Sequence, residues 1–301
     1  MDSDEEAYIL LLLSDGNLPT GSFVASSGLE SYVTHGFFTI PPNLTEKGND
    51  KLEHIVDFIR DTMSTYARSA LPFVSDAHII VEEAMKSHGT PSSKDRTEQA
   101  LRTLLALDAL YESMTLNHIA RRASTAQGVA LLSLHSKGFS VPRIYPATQQ
   151  KIPVDDKGGA SKIASILADK LKLLIRREET PGHLPICWGF LTAALGLSLD
   201  RSQFLHLFLC ARGALSAAVR MNICGPYAAQ QLLLHAIRPI VVAEASRCAK
   251  CRTGVSYSSS DMGEVSFDEG VMTKEGPAIT WPLGEILAAR HDLQHSRVFN
   301  S

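Results

Sequence analysis

The residues of this chain closest to a metal-site pattern are Cys248-Ala-Lys-Cys251 and the pair His291 and His295. A lone C-x-x-C supplies two thiolates, half of the tetrahedral set that a structural zinc site needs. Two histidines four apart face one way on a helix, with Asp292 as the nearest carboxylate, and a convincing site wants three or four ligands. The plainer reading keeps the thiols as ordinary side chains and the imidazoles as surface or interface groups. Other chemistry is harder to find. There is no G-x-x-x-x-G-K-[ST] loop to cradle a nucleotide phosphate, so the pure chain is expected to bind no GTP. There is no H-E-x-x-H, and Gly254-Val-Ser256-Tyr-Ser258 fails the nucleophile-elbow pattern at its last position. Asp155-Asp156 beside Lys157-Gly-Gly159 reads as a solvated turn. No catalytic residue is assigned. An enzyme reading survives only as an all-α protein whose acid and base are distant in sequence.

The elements that must position these groups are helices. The chain has 301 residues, 45% hydrophobic and 20% charged, with a net charge of −3. That suits one globular domain and gives no basic surface for nucleic acid. Five cysteines are too few for a disulfide framework, and the acidic start Met1-Asp-Ser-Asp-Glu-Glu6 is unlike a secretory or mitochondrial leader; a cytoplasmic location is expected. Leu52, Ile55, Val56, Ile59, Met63 and Tyr66 form one helical stripe over 51–68. A second helix is expected from Pro72 onward, where a missing N–H costs nothing. Further helical patterns cover 96–110, 111–135 with Gly128 as the candidate break, 162–176, 202–221 and 227–249. The uncharged run 184–199 is too short to cross a bilayer and reads as a helix buried on all sides. Stretches 88–95, 142–160 and 247–279 look irregular, the last as a flexible loop. No alternating β-branched run is long enough for a substantial strand. The expected fold is all-α: a single compact multi-helix domain spanning 1–301, with polar loop insertions and a C-terminal tail.

The two ends of the chain are distinctive. Leu13-Ser-Asp-Gly-Asn-Leu-Pro-Thr-Gly-Ser-Phe23 leads into Ser27-Gly-Leu-Glu30, and the chain finishes with a mixed charged, amide and aromatic segment over 290–301. The first run, with Pro19, Gly21, Phe23, Gly28 and Glu30, resembles the N-terminal signature of the UreF family of urease accessory proteins. Asn117-His-Ile-Ala-Arg-Arg122-Ala-Ser124 with Gln127 and Gly128 is similar to that family's Arg-rich helix in its eukaryotic form. Gly182-His-Leu-Pro-Ile-Cys-Trp-Gly189 is similar to its apolar helix, and Arg220, Pro226 and Gln230 lie in a block similar to its next helix pair. His291, Asp292, Gln294, Ser296, Arg297 and Phe299 fall in a segment similar to its tail. The blocks keep the family's order over nearly the whole chain and resemble a fungal- or plant-like member.

The resemblance implies an all-helical, dimeric, non-catalytic protein. Its implied partners are a UreD/UreH-type accessory protein, the GTPase UreG and apo-urease; neither nucleic acid nor membrane is among them. It implies that nickel and GTP are handled by the complex and that no cofactor is held firmly by this chain. The alternative is a nickel-binding metallochaperone using Cys248, Cys251, His291 and His295. The signature glycines are expected to serve structure, and Glu30 to cap a helix or pair with Arg122 or Arg220. With only Leu293, Val298 and Phe299 as apolar anchors, the tail is expected to be mobile alone and to order on the UreD/UreH-type partner.

Overall fold

A computed structural model describes residues 3–38, 49–89, 93–139, 157–257, 265–267 and 276–300. The Asp155-Asp156 pair and most of the irregular stretch before it lie outside these residues. The chain forms α1 (Ser3–Leu13), α2 (Leu29–Thr34), α3 (Asn49–Lys86), α4 (Ser93–Met114), α5 (His118–Gly138), α6 (Lys157–Arg176), α7 (Leu184–Ala194), α8 (Leu199–Arg220), α9 (Pro226–Gln231), α10 (Arg238–Cys248) and α11 (Pro282–Ala289). Val255–Tyr257 (β1) and Val265–Phe267 (β2) pair antiparallel as a two-stranded sheet within the 247–279 stretch.

The spine is α3, which is continuous through Pro72, so the second helix expected there is the second half of the first. A proline inside a helix frees the carbonyl four residues earlier. That carbonyl, on Arg68, accepts instead from the Ala278 N–H at 3.3 Å. The two halves of α3 serve two cores. Ile55, Phe58, Ile59 and Met63 pack with Leu207, Ala214, Val241 and Phe299, whereas Phe73, Val74, Ala77 and Val81 pack with Leu104, Leu131, Leu167 and Phe190. Of the uncharged run 184–199 expected as one buried helix, α7 takes Leu184–Ala194 and is buried from Pro185 to Ala193, and the chain then turns at Gly196 (φ +77°) before α8. Gly189 lets it approach α3 closely, because a Cβ there would stand 2.5 Å from the Val74 carbonyl oxygen.

Gly128 does not break a helix. The break falls at 115–117, where the Asn117 side chain caps α5 by accepting from the Ile119 and Ala120 N–H groups. Gly128 sits inside α5, against the turn that starts α7: a Cβ would lie 2.1 Å from the Gly182 carbonyl oxygen. Asp108 of α4 holds the same turn, accepting from Thr180 Oγ1, Gly182 N and His183 N. A π-turn over Leu232–Ile237 joins α9 to α10, just before Pro239, which cannot donate to the helix ladder.

Candidate functional site

The N-terminal signature and the C-terminal tail meet. The elements that bring them together are α2, the start of α5, the end of α8 and α11. Gly21 and Gly28 take φ of +72° and +85°, conformations that favour glycine, and at Gly28 a Cβ would also stand 3.2 Å from the Ala288 Cβ. This close approach brings α2 against α11, and the Ser31 hydroxyl donates to the Leu287 carbonyl. The chain then turns at His291–Leu293 and runs back across α2.

Glu30 is the centre of that crossing. Its side chain is 5% exposed, and its oxygens accept from Val298 N at 2.6 Å, Phe299 N at 3.2 Å and His291 Nε2 at 3.0 Å. His291 and Phe299 are themselves buried. The expected pairing of Glu30 with Arg122 or Arg220 is therefore replaced by an acceptor site for the tail. Both arginines serve the same junction from outside. Arg122 makes two bonds to Asp292, at 2.9 and 3.0 Å, and donates to the Asn300 carbonyl at 2.8 Å. Arg220 places its guanidinium 4.4 Å from the Phe299 ring centroid and donates to the Phe23 carbonyl. Arg297 bonds Asp292 at 2.7 Å, and His118 approaches it at 3.5 Å. The Arg122 hydrogen bonds, with the charges of Arg297 and His118, hold the Asp292 carboxyl far below the usual range. Asn300 N donates to the Val24 carbonyl at 2.9 Å, tying the tail to the signature turn.

Although the sequence gives the tail few apolar anchors, the structure packs it against α2. Three hydrogen bonds to one buried carboxylate and a buried phenyl ring supply what its few apolar anchors seemed to lack. Beside it runs a groove of about 910 Å³ lined by Pro19, Gly21, Arg122, Gln127, Arg297 and Val298 among others. Ser296 is exposed and Gln294 is half-buried, with neither side-chain amide atom hydrogen-bonded among the described residues. Pro226 opens α9 and Gln230 is exposed on it; neither belongs to the bonded cluster. Nearby side chains remain open to solvent. Leu116, Ile286 and Leu293 are 80%, 61% and 73% exposed. They flank two links between α5 and the tail region, Asn117 Nδ2 to the Glu285 carbonyl at 3.3 Å and His118 to Asp292.

The proposed four-ligand metal set is not assembled. Cys251 contacts Arg68, His291 contacts Glu30, and His295 is exposed. Among the described residues no group of three or more His, Cys, Asp or Glu side chains is placed to hold a metal ion. No helix among them is long and apolar enough to cross a membrane.

Three of the blocks that resemble one family meet at this junction, and a model of that family, UreF, matches residues 51–237. The chain belongs to the UreF family. It is 41% identical to urease accessory protein 6 of Cryptococcus neoformans var. grubii, over 99% of this chain and 98% of the relative. It is 25% identical to a UreF-like urease accessory protein of Schizosaccharomyces pombe, over 100% and 99% of the two chains. With urease accessory protein F of Arabidopsis thaliana the identity is 28%, over 72% and 69%. In this UreF-family chain, the link between signature and tail was the part of the site sequence could not supply. Glu30 and His291 are 261 positions apart, and no local pattern pairs them.

Proposed function

We propose that this chain is a non-catalytic scaffold and regulator in urease maturation, acting on the GTPase UreG within the complex that inserts nickel into apo-urease. In this reading it works as a homodimer in the cytoplasm, joined to a UreD/UreH-type partner, with the nucleotide held by UreG and the final nickel ligands by urease. The observation that carries the proposal is the docked tail. The family-like blocks from both ends of the chain form one junction, and that junction offers Leu116, Ile286 and Leu293 to solvent beside the Arg122–Asp292–Arg297 cluster. Exposed apolar side chains rimmed by charge are the usual make-up of a protein-binding surface. The tail thereby contributes as a platform: its buried His291 and Phe299 hold the shape, while its outward residues meet the partner.

The test is the double variant Ile286→Asp, Leu293→Asp, measured by pull-down with a UreD/UreH-type protein and by UreG GTP hydrolysis in the assembled complex. Both residues are exposed, so the fold should persist. Loss of capture by more than about tenfold is expected, from two apolar anchors replaced by charge. Unchanged capture would refute the platform. Unchanged hydrolysis on adding the wild-type chain to UreG and its partner would refute the regulator role.

A further inference from the structure

The function above leaves unused the one close cysteine pair of the sequence. Cys248 is the last residue of α10, and the Cys251 N–H donates to the Cys248 carbonyl at 3.0 Å. An i to i+3 bond of this kind keeps the two Cα atoms within about 7 Å, close to the span of about 4.4–6.8 Å that a disulfide bridges. Both residues are buried, and both thiols are free. Arg68 of α3 donates to Cys251 Sγ at 3.1 Å, so a guanidinium sits where charge on that sulfur would be stabilised. The other cysteines have no such companion among their described contacts; burial pushes the Cys210 thiol up to about 12, and that of Cys187 well up.

We infer that Cys248 and Cys251 form a reversible dithiol–disulfide site, oxidised by a small hydroperoxide with Cys251 as the attacking sulfur and Cys248 as the resolving one. The roles follow from the surroundings. Burial and the neighbouring charge of Cys251 push Cys248 up to about 11, so it waits as a protonated thiol. Burial of both sulfurs favours hydrogen peroxide over a bulky disulfide. In the first step the Cys251 thiolate attacks one peroxide oxygen, the O–O bond breaks, and hydroxide leaves a sulfenic acid. In the second step Cys248 gives up its proton and its sulfur attacks Cys251 Sγ; the S–O bond breaks and water departs. Two thiols are oxidised, one peroxide is reduced, and a thiol reductant reverses the change.

The surrounding contacts give the disulfide something to act on. Gln203 Nε2 donates to the Ala249 carbonyl at 3.2 Å, and Thr253 gives both its N–H and its hydroxyl to Asp76, at 2.8 and 2.6 Å. The site therefore lies in the turn that fastens the end of α10 to α3 and α8.

The experiment treats the full-length chain with hydrogen peroxide and follows intact mass, peptide maps and thiol count. Expected is loss of two hydrogens, mapped to a Cys248–Cys251 disulfide and restored by dithiothreitol. Cys248→Ser should stop at a sulfenic acid on Cys251, trapped by dimedone. Arg68→Met, which removes the donor to Cys251 Sγ, should slow oxidation several-fold. Five alkylatable thiols after peroxide treatment, or a disulfide mapped to another pair, would overturn the proposal. So would a dimedone adduct on Cys248 instead of Cys251 in the wild-type chain.

Discussion

Replacing Glu30 by alanine should detach the tail, and the size of the effect can be worked from the junction. The variant removes the acceptor of three donors: His291 Nε2, Val298 N and Phe299 N. Hydrogen bonds to a charged acceptor contribute about 1.5–3 kcal/mol each, and a buried donor left without one costs about 1–3 kcal/mol. These figures do not add without limit. Once residues 291–300 leave the surface, their N–H groups return to water, so the loss is capped by the docking free energy of the tail. Breaking a buried hydrogen-bond network lies at the upper end of what single substitutions cost, and we take about 3–5 kcal/mol as the expected range. For a chain of 301 residues it corresponds to a fall in melting temperature of about 5–8 °C. Thermal unfolding measures the fall, and hydrogen exchange at the Val298 and Phe299 amides locates it. A chain ending at Ala289 should lose a similar amount, where a frayed tail would lose almost nothing. If Glu30→Ala melts within about 1 °C of wild type and both amides stay protected, the docked-tail reasoning is wrong.

Other outcomes follow from the same geometry. Burial drives the pKa of His206 down to about 3, with Tyr66 Oη 2.9 Å from its Nε2. The unfolded chain then binds more protons than the folded one between about pH 6.5 and pH 3. Stability is full above the unfolded pKa and falls with acidification by about 1.4 kcal/mol per pH unit for this group; His206→Gln should flatten the pH dependence of the melting temperature, and an unchanged slope would exclude His206 as its source. Gly128→Ala should destabilise by about 1–3 kcal/mol or more, read by denaturant titration, because its Cβ meets backbone atoms and no flexible side chain can yield. Arg122→Met should cost little stability, since its pairing with Asp292 is half-exposed, yet weaken partner capture; equal capture by pull-down would remove Arg122 from the surface. The pure chain should show no saturable GTP binding at micromolar nucleotide, and a binding isotherm by calorimetry would contradict the missing phosphate loop.

Much of the helical framework is legible from residue spacing. The stripe through Ile55, Ile59 and Met63 is buried as its 3.6-residue period requires, and the uncharged run of α7 lies inside the protein. The family resemblance was also legible, because it rests on residue types in order. What failed in the sequence reading depended on partners far along the chain. Pro72 looked like a helix start because the group that takes the Arg68 carbonyl, the Ala278 N–H, is more than 200 positions away. Gly128 looked like a break because the turn that needs its missing Cβ, Gly182 to Leu184, belongs to another segment. The sequence offers Glu30 arginines, whereas the packing gives it an imidazole and two backbone amides of the tail. A sequence determines which residues share a helical face, since that follows from the geometry of a few consecutive residues. Which distant donor reaches a buried carboxylate is decided only when two cores close around the same helix, because the desolvated acceptor then binds whatever donors the packing brings within about 3 Å.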